Sequence, residues 1–142
     1  DGVTLGDHCF KDARIVDALN DPERPVARPA NLSALAPGKT ALALRVPPWR
    51  TEPGSASTPK PPGVERWPLR VVTVLGRLFM PMPADDPFAA VDREVERAAR
   101  EEPEVSVIVE VHGEATSEKI AMAWHCLERW PARVVAVVGT HT

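Results

Sequence analysis

Between Val105 and Val111 nearly every position is β-branched, and only Ser106 and Glu110 interrupt the run. Such a pattern predicts a strand of a mainly parallel sheet, buried under helices on both faces that leave little room for polar alternation. The run passes into His112-Gly113, then Glu114 and Thr116-Ser117-Glu118, and from Lys119 to Leu127 the apolar residues return at helical spacing. Thr116 or Ser117 is the expected cap of that helix. A strand that delivers a histidine at its carboxyl end, just before a helix N-terminus, builds the place where open α/β sheets bind ligands.

The same pattern occurs twice more. Gly2 to Leu5 is a short strand-like run followed by Gly6-Asp7-His8, and Arg133 to Val138 is an apolar run followed by Gly139-Thr140-His141. Three of the four histidines therefore stand at predicted strand ends. Were these strands parallel neighbours, the three imidazoles would converge on one rim of the sheet, with Asp7 and Glu114 beside them. Imidazole with carboxylate is a donor set for zinc, iron or manganese. The fourth histidine, His125, lies mid-helix between Trp124 and Cys126 and reads as a residue in or near the core.

The remaining pattern fills in an alternating order. Lys11 to Leu19 has helical spacing, with Ile15, Val16 and Leu19 on one face, and Asn20-Asp21-Pro22 ends it. Arg24 to Asn31 is an extended, proline-constrained segment. Residues 40–46 and 69–75 read as strands. Between them, about 47–68 holds most of the chain-breaking residues and reads as a proline-rich loop insertion in a single domain of residues 1–142. After the second strand, Gly76 to Pro83 is a partly apolar loop in which Met80 and Met82 serve packing. Asp85-Asp86-Pro87 then starts a helix whose Phe88, Val91, Val95 and Ala98 share a face. Strands alternating with helices give an α/β fold.

Composition narrows the function. A net charge of −3 over 142 residues excludes the basic stripe of a nucleic-acid-binding surface, so no stable nucleic-acid complex is expected. No run reaches membrane-spanning length, and no signal peptide is visible. Cys9 and Cys126 have no metal-binding or redox spacing and read as reduced thiols in or near the core, as in a cytoplasmic protein. Trp67, Trp124 and Trp130 read as core or core-edge residues. Arg77, between a strand end and an apolar loop, fits either an anion contact or a salt bridge.

Several segments, in order, resemble the YmdB-like bacterial metallophosphoesterases of the calcineurin-like superfamily. Thr4-Leu-Gly-Asp-His8 resembles T-x-G-N-H, and Arg28-Pro-Ala-Asn31 resembles R-P-x-N. Leu75-Gly-Arg-Leu-Phe-Met80 resembles L-G-R-x-F-M, and Asp85-Asp-Pro-Phe88 resembles D-[DN]-P-F. Val111-His-Gly-Glu-Ala-Thr-Ser-Glu-Lys119 resembles F-H-A-E-A-T-S-E-K, and Val138-Gly-Thr-His-Thr142 resembles the start of V-G-T-H-T-H. The nine-residue segment around His112 is the most specific of these.

The resemblance implies part of an αββα sandwich and a two-metal phosphodiesterase using iron or manganese, with zinc as the alternative. Its substrate would be a small phosphodiester such as a 2′,3′-cyclic nucleotide, attacked in line by a metal-held hydroxide. By position, Asp7, His112 and His141 would be metal ligands. His8 would be the general acid, a role suited to imidazole, which titrates near neutral pH. Glu114, Ser117 and Glu118 would support the ligands or cap the helix, and Arg77 would contact phosphate. The family's Asn is Asp7 here, which adds charge and removes an amide donor. The family also carries metal ligands on strands before the first segment matched here and on a further histidine after the last. The chain is therefore expected to be an internal piece of a longer enzyme, inactive alone. Two alternatives stay open: a non-catalytic regulatory or binding domain that keeps the fold, and a mononuclear zinc hydrolase using His8, His112 and His141. Homo-oligomer formation also stays open.

Overall fold

A computed structural model describes residues 1–47 and 66–141. In chain order the elements are β1 (Val3–Thr4), α1 (Ile15–Asn20), β2 (Val26–Ala27), β3 (Leu42–Val46), β4 (Trp67–Leu75), α2 (Pro87–Glu101), β5 (Ser106–Gly113), α3 (Thr116–Arg129) and β6 (Val134–His141). The fold is mixed α/β. One sheet has the order β3-β4-β5-β6, and β1 pairs with β2 in a separate parallel pair. β4, β5 and β6 run parallel, while β3 is antiparallel to β4.

Most of the proline-rich stretch, residues 48–65, lies outside the described residues. Its far end is strand rather than loop, since Val46 pairs with Trp67 and Arg45 with Pro68. Pro68 sits just before β5 joins at Leu69, where β4 has only one paired neighbour and a missing N–H is tolerated.

Helices α2 and α3 pack on the same face of the sheet. Val72, Val74, Val107, Val109 and Val111 point to one side and form the core with Val91, Val95 and Ala98 of α2 and Met122 and Cys126 of α3. Val107, Val109 and Val111 alternate along β5, so Glu110 and His112 must point to the opposite face. That face meets the N-terminal loops, where Leu75 packs with Cys9 and Leu32 against Leu5, Phe10 and Met82. The two helices are tied by Asp92, which accepts from Trp130 Nε1 at 2.6 Å and pairs with His125 Nε2 at 2.8 Å and Arg129 Nε at 3.1 Å. His125 is thus a helix-joining residue, with Phe88 edge-on to its ring. Trp130 packs against the core, but Trp124 is 60% exposed and is not a core residue.

Local chemistry explains the helix starts. Asp86 caps α2 by accepting from Phe88 N–H at 2.9 Å, with Pro87 in the first turn. For α3 the N-cap is Ala115, with no side-chain cap, so neither Thr116 nor Ser117 plays the expected part. The segment after His8 is a series of turns, and α1 begins only at Ile15.

Two buried side chains order the N-terminal loops, and the first of them ties these loops to the sheet. Asn31, fully buried, accepts from Leu75 N–H and donates to Leu75 O, both at 2.8 Å, and donates to Asp85 O at 3.0 Å. It thereby satisfies β4 beyond the point where β3 ends, as a neighbouring strand would. Arg28, equally inaccessible, donates to the carbonyls of Pro29, Ser33, Ala36 and Pro37. Burial lowers its pKa, and these carbonyls supply the partners a buried guanidinium needs.

Candidate metal centre

The carboxyl ends of β5 and β6 lie side by side, with His112 opposite Thr140 and Gly113 opposite His141. The rings of His112 and His141 meet edge to face with centroids 4.9 Å apart. Asp7 arrives from elsewhere: β1 is not a neighbour of β5 and β6, so the predicted three-strand rim is built by two strands and a loop. Asp7 Oδ1 lies 3.1 Å from His112 Nε2 and 3.3 Å from His8 Nδ1. Among the described residues, Asp7, His112 and His141 each offer one ligand atom, and all three atoms lie within 4.8 Å of one another.

Gly6 makes this approach feasible. A methyl group at Gly6 would fall 2.3 Å from His112 Cε1 and Nε2, so only glycine lets the loop pass over the ring. His141 has φ +85°, an unusual backbone for a residue with a side chain, at the point where its ring must turn toward His112. Glu114 Oε2 stands 3.6 Å from His141 Nε2.

Burial by itself raises the pKa of Asp7. The hydrogen bond with His112 and the charges of His8, His112 and His141 outweigh it and hold the carboxyl below its usual range. A buried carboxylate kept ionised beside two imidazoles is a donor set that fits a divalent cation such as iron, manganese or zinc. His8 does not belong to the close donor group. Its side chain is 72% exposed and faces solvent next to Asp7, so the set His8, His112 and His141 of a mononuclear zinc site is not the one that converges.

The remaining expected residues have defined places. Glu118 accepts from the backbone N–H of Arg77 at 2.8 Å and of Leu78 at 3.2 Å, so it anchors the loop after β4 and does not cap its own helix. Ser117 is exposed on the first turn of α3. Arg77 is exposed two residues beyond Leu75, which is paired with His112. The two cysteines are free and buried, and burial raises both thiols, Cys126 to about 11, which removes thiolate chemistry near neutral pH.

Two residues behind the site carried a signal that the sequence pattern alone did not turn into a role. Glu110, buried, accepts from Thr73 Oγ1 at 2.7 Å and from Thr140 Oγ1 at 2.8 Å. Thr140 Oγ1 also lies 3.1 Å from His112 Nδ1. The signal was Glu110 itself, an acid inside an apolar strand.

The model of the YmdB-like protein family matches residues 1–142, the whole chain. The chain belongs to the YmdB-like family. A curated relative, the 2′,3′-cyclic-nucleotide 2′-phosphodiesterase of Bacillus subtilis (strain 168), is 35% identical to this YmdB-like chain over 142 residues, which are all of this chain and 44% of that protein. A crystal structure of a hypothetical protein from Thermus thermophilus superposes with a TM-score of 0.72 at 38% identity, covering all of this chain and 45% of that one. This YmdB-like chain thus spans less than half the length of the relatives it matches, as expected for part of a metallophosphoesterase domain. Among its described residues no helix is long and apolar enough to cross a membrane.

Proposed function

We propose that this chain carries part of the active centre of a metal-dependent phosphodiesterase acting on small phosphodiesters of the 2′,3′-cyclic nucleotide class. The observation that carries the reading is the convergence of Asp7, His112 and His141, from a loop and two strands, on one spot. The name of the Bacillus relative supports the substrate class. Asp7, His112 and His141 are the ligands for iron or manganese, with zinc as the alternative. A second ion of a two-metal site would draw its other donors from polypeptide outside this chain. Bound cations supply Lewis-acid stabilisation of charge on the phosphoryl oxygens.

His8 is the general acid. As the P–O bond to the leaving oxygen breaks, its ring gives that oxygen a proton, while Asp7 Oδ1, 3.3 Å from Nδ1, holds the ring. Glu114 steadies His141, and Arg77, on the strand end next to His112, contacts phosphate. The free, buried cysteines suit a cytoplasmic setting.

The test uses the complete natural polypeptide with Mn²⁺ and bis-p-nitrophenyl phosphate. Turnover should be detectable, and His112→Ala should lose most of it. Unchanged turnover in that variant would remove the metal-site assignment. The second reading, a non-catalytic binding domain, is favoured by one observation: Asp7 stands where the family motif has Asn. Metal analysis separates the two, since two equivalents support the enzyme and none supports the binding domain.

A further inference from the structure

The hydrogen bonds on the inner side of His112 have a direction. Glu110 as a carboxylate can only accept, and it takes the hydroxyl hydrogens of Thr73 and Thr140 on its two oxygens. A threonine hydroxyl has one hydrogen. With that of Thr140 committed to Glu110 at 2.8 Å, the Thr140 oxygen can only accept from the ring nitrogen 3.1 Å away, so Nδ1 of His112 must carry a hydrogen. Nε2 faces Asp7 Oδ1 at 3.1 Å; a carboxylate only accepts, so without a cation this contact is a hydrogen bond donated by Nε2, and a cation at the site would take that hydrogen's place.

We propose that Glu110 and Thr140 are positioning residues that hold the Nδ1–H of His112 and so aim Nε2 at the cation site. The assignment of a cation to that site rests on the function proposed above; the direction of the hydrogen bonds does not. Strand geometry makes the device rigid. Thr73 is the cross-strand partner of Glu110, and Thr140 is the partner of His112. Three adjacent parallel strands therefore each contribute to one chain of bonds, Thr73 to Glu110 to Thr140 to His112. Thr73 and Glu110 are buried, so solvent does not compete for these groups. The device also accounts for a carboxylate inside an apolar strand, where an unpaired one would be costly.

The test has two arms in the complete polypeptide. In the first, ¹⁵N NMR of the metal-free protein reads whether Nδ1 of His112 carries a hydrogen. A hydrogen on Nδ1 is expected, whether or not Nε2 also carries one toward Asp7, and a bare Nδ1 would overturn the proposal whether or not metal binds. In the second, titration calorimetry measures Mn²⁺ affinity. Thr140→Val, which keeps the β-branched shape but has no acceptor oxygen, should weaken binding by roughly 10- to 100-fold, the range usual for partners of metal-ligating histidines. Thr140→Ser should restore it, with both variants melting cooperatively. Wild-type affinity in Thr140→Val would sink the proposal while leaving the metal reading intact. Absence of Mn²⁺ binding in the wild type would sink the metal reading, and the NMR arm would still decide whether Nδ1 carries the hydrogen.

Discussion

Gly6→Ala isolates the geometry of the centre with a single methyl group. Its Cβ would lie 2.3 Å from Cε1 and Nε2 of His112 and 2.7 Å from Cδ2. Non-bonded carbons rest about 3.5 Å apart, so either the ring or the loop must withdraw by roughly 1 Å. The ring has little freedom, being held by Thr140 at one nitrogen and Asp7 at the other, both at 3.1 Å. A withdrawal of that size carries at least one bond beyond the hydrogen-bonding range. Overpacking costs about 1–3 kcal/mol, and misplacing a reacting group by about 1 Å costs on the order of 100-fold in rate. The assay is Mn²⁺ affinity and phosphodiester turnover of the complete polypeptide, with a urea melt as the control on folding. Turnover should fall by about 100-fold or more while the cooperative transition survives. Gly2→Ala is the matched control, because its methyl would press on the flexible ends of Leu42 and Leu44 and leave the centre alone. A Gly6→Ala protein with wild-type affinity and turnover would refute the placement of His112 beneath this loop.

Other outcomes follow from the bonds that hold the frame. Asn31→Asp removes the donor to Leu75 O and Asp85 O and buries a negative charge among carbonyls, so the urea midpoint should drop by the equivalent of about 3 kcal/mol or more. Glu118→Gln sets an amide donor against one of the two N–H groups that the carboxylate accepts. Amide exchange at Leu78 should quicken by a factor corresponding to about 1–2 kcal/mol, with α3 unaffected. Asp92 gives a pH dependence. Burial raises its pKa, but the hydrogen bonds from Trp130 and His125 and the charges of His125 and Arg129 more than offset this and hold it below 3.8. A depressed folded-state pKa contributes stability that is fully present above 3.8 and is lost as pH falls through the lower folded value. The stability gap between wild type and Asp92→Asn should therefore shrink as pH falls below 3.8; a gap that stays constant well into the acid range below that value would contradict it.

Much of this architecture was legible in the pattern of residues. The apolar run of β5, the Asp-Pro start of α2 and the return of helical spacing after Thr116 are local signals, and each produced the expected element. The meeting of His112 and His141 followed from two similar strand ends, because parallel neighbours bring equivalent positions together. What depends on partners distant in sequence was not legible. β1 pairs with β2 and not with the main sheet, yet Asp7 still reaches His112, because Asn31 holds the N-terminal loops against β4. Periodicity placed Trp124 on an apolar face without showing that this face, with Ile120 and Leu127, is exposed on α3. Thr116 and Ser117 have good capping chemistry, but the chain turns one residue earlier, at Ala115. Glu110 was visible as an interruption; its two hydroxyl partners come from other strands and leave no trace in spacing.

Asp7 and His112 are separated by 105 positions in the chain, yet their side chains touch. An ion held between them would act as a removable cross-link, closing a long loop that no disulfide closes. Chelation would then do more than silence chemistry: it would remove one of the ties that hold the Asp7 loop to the sheet. At an ion concentration about 100 times the dissociation constant, this linkage would contribute about 2.7 kcal/mol. The cation would then be as much a strut of the fold as a reagent.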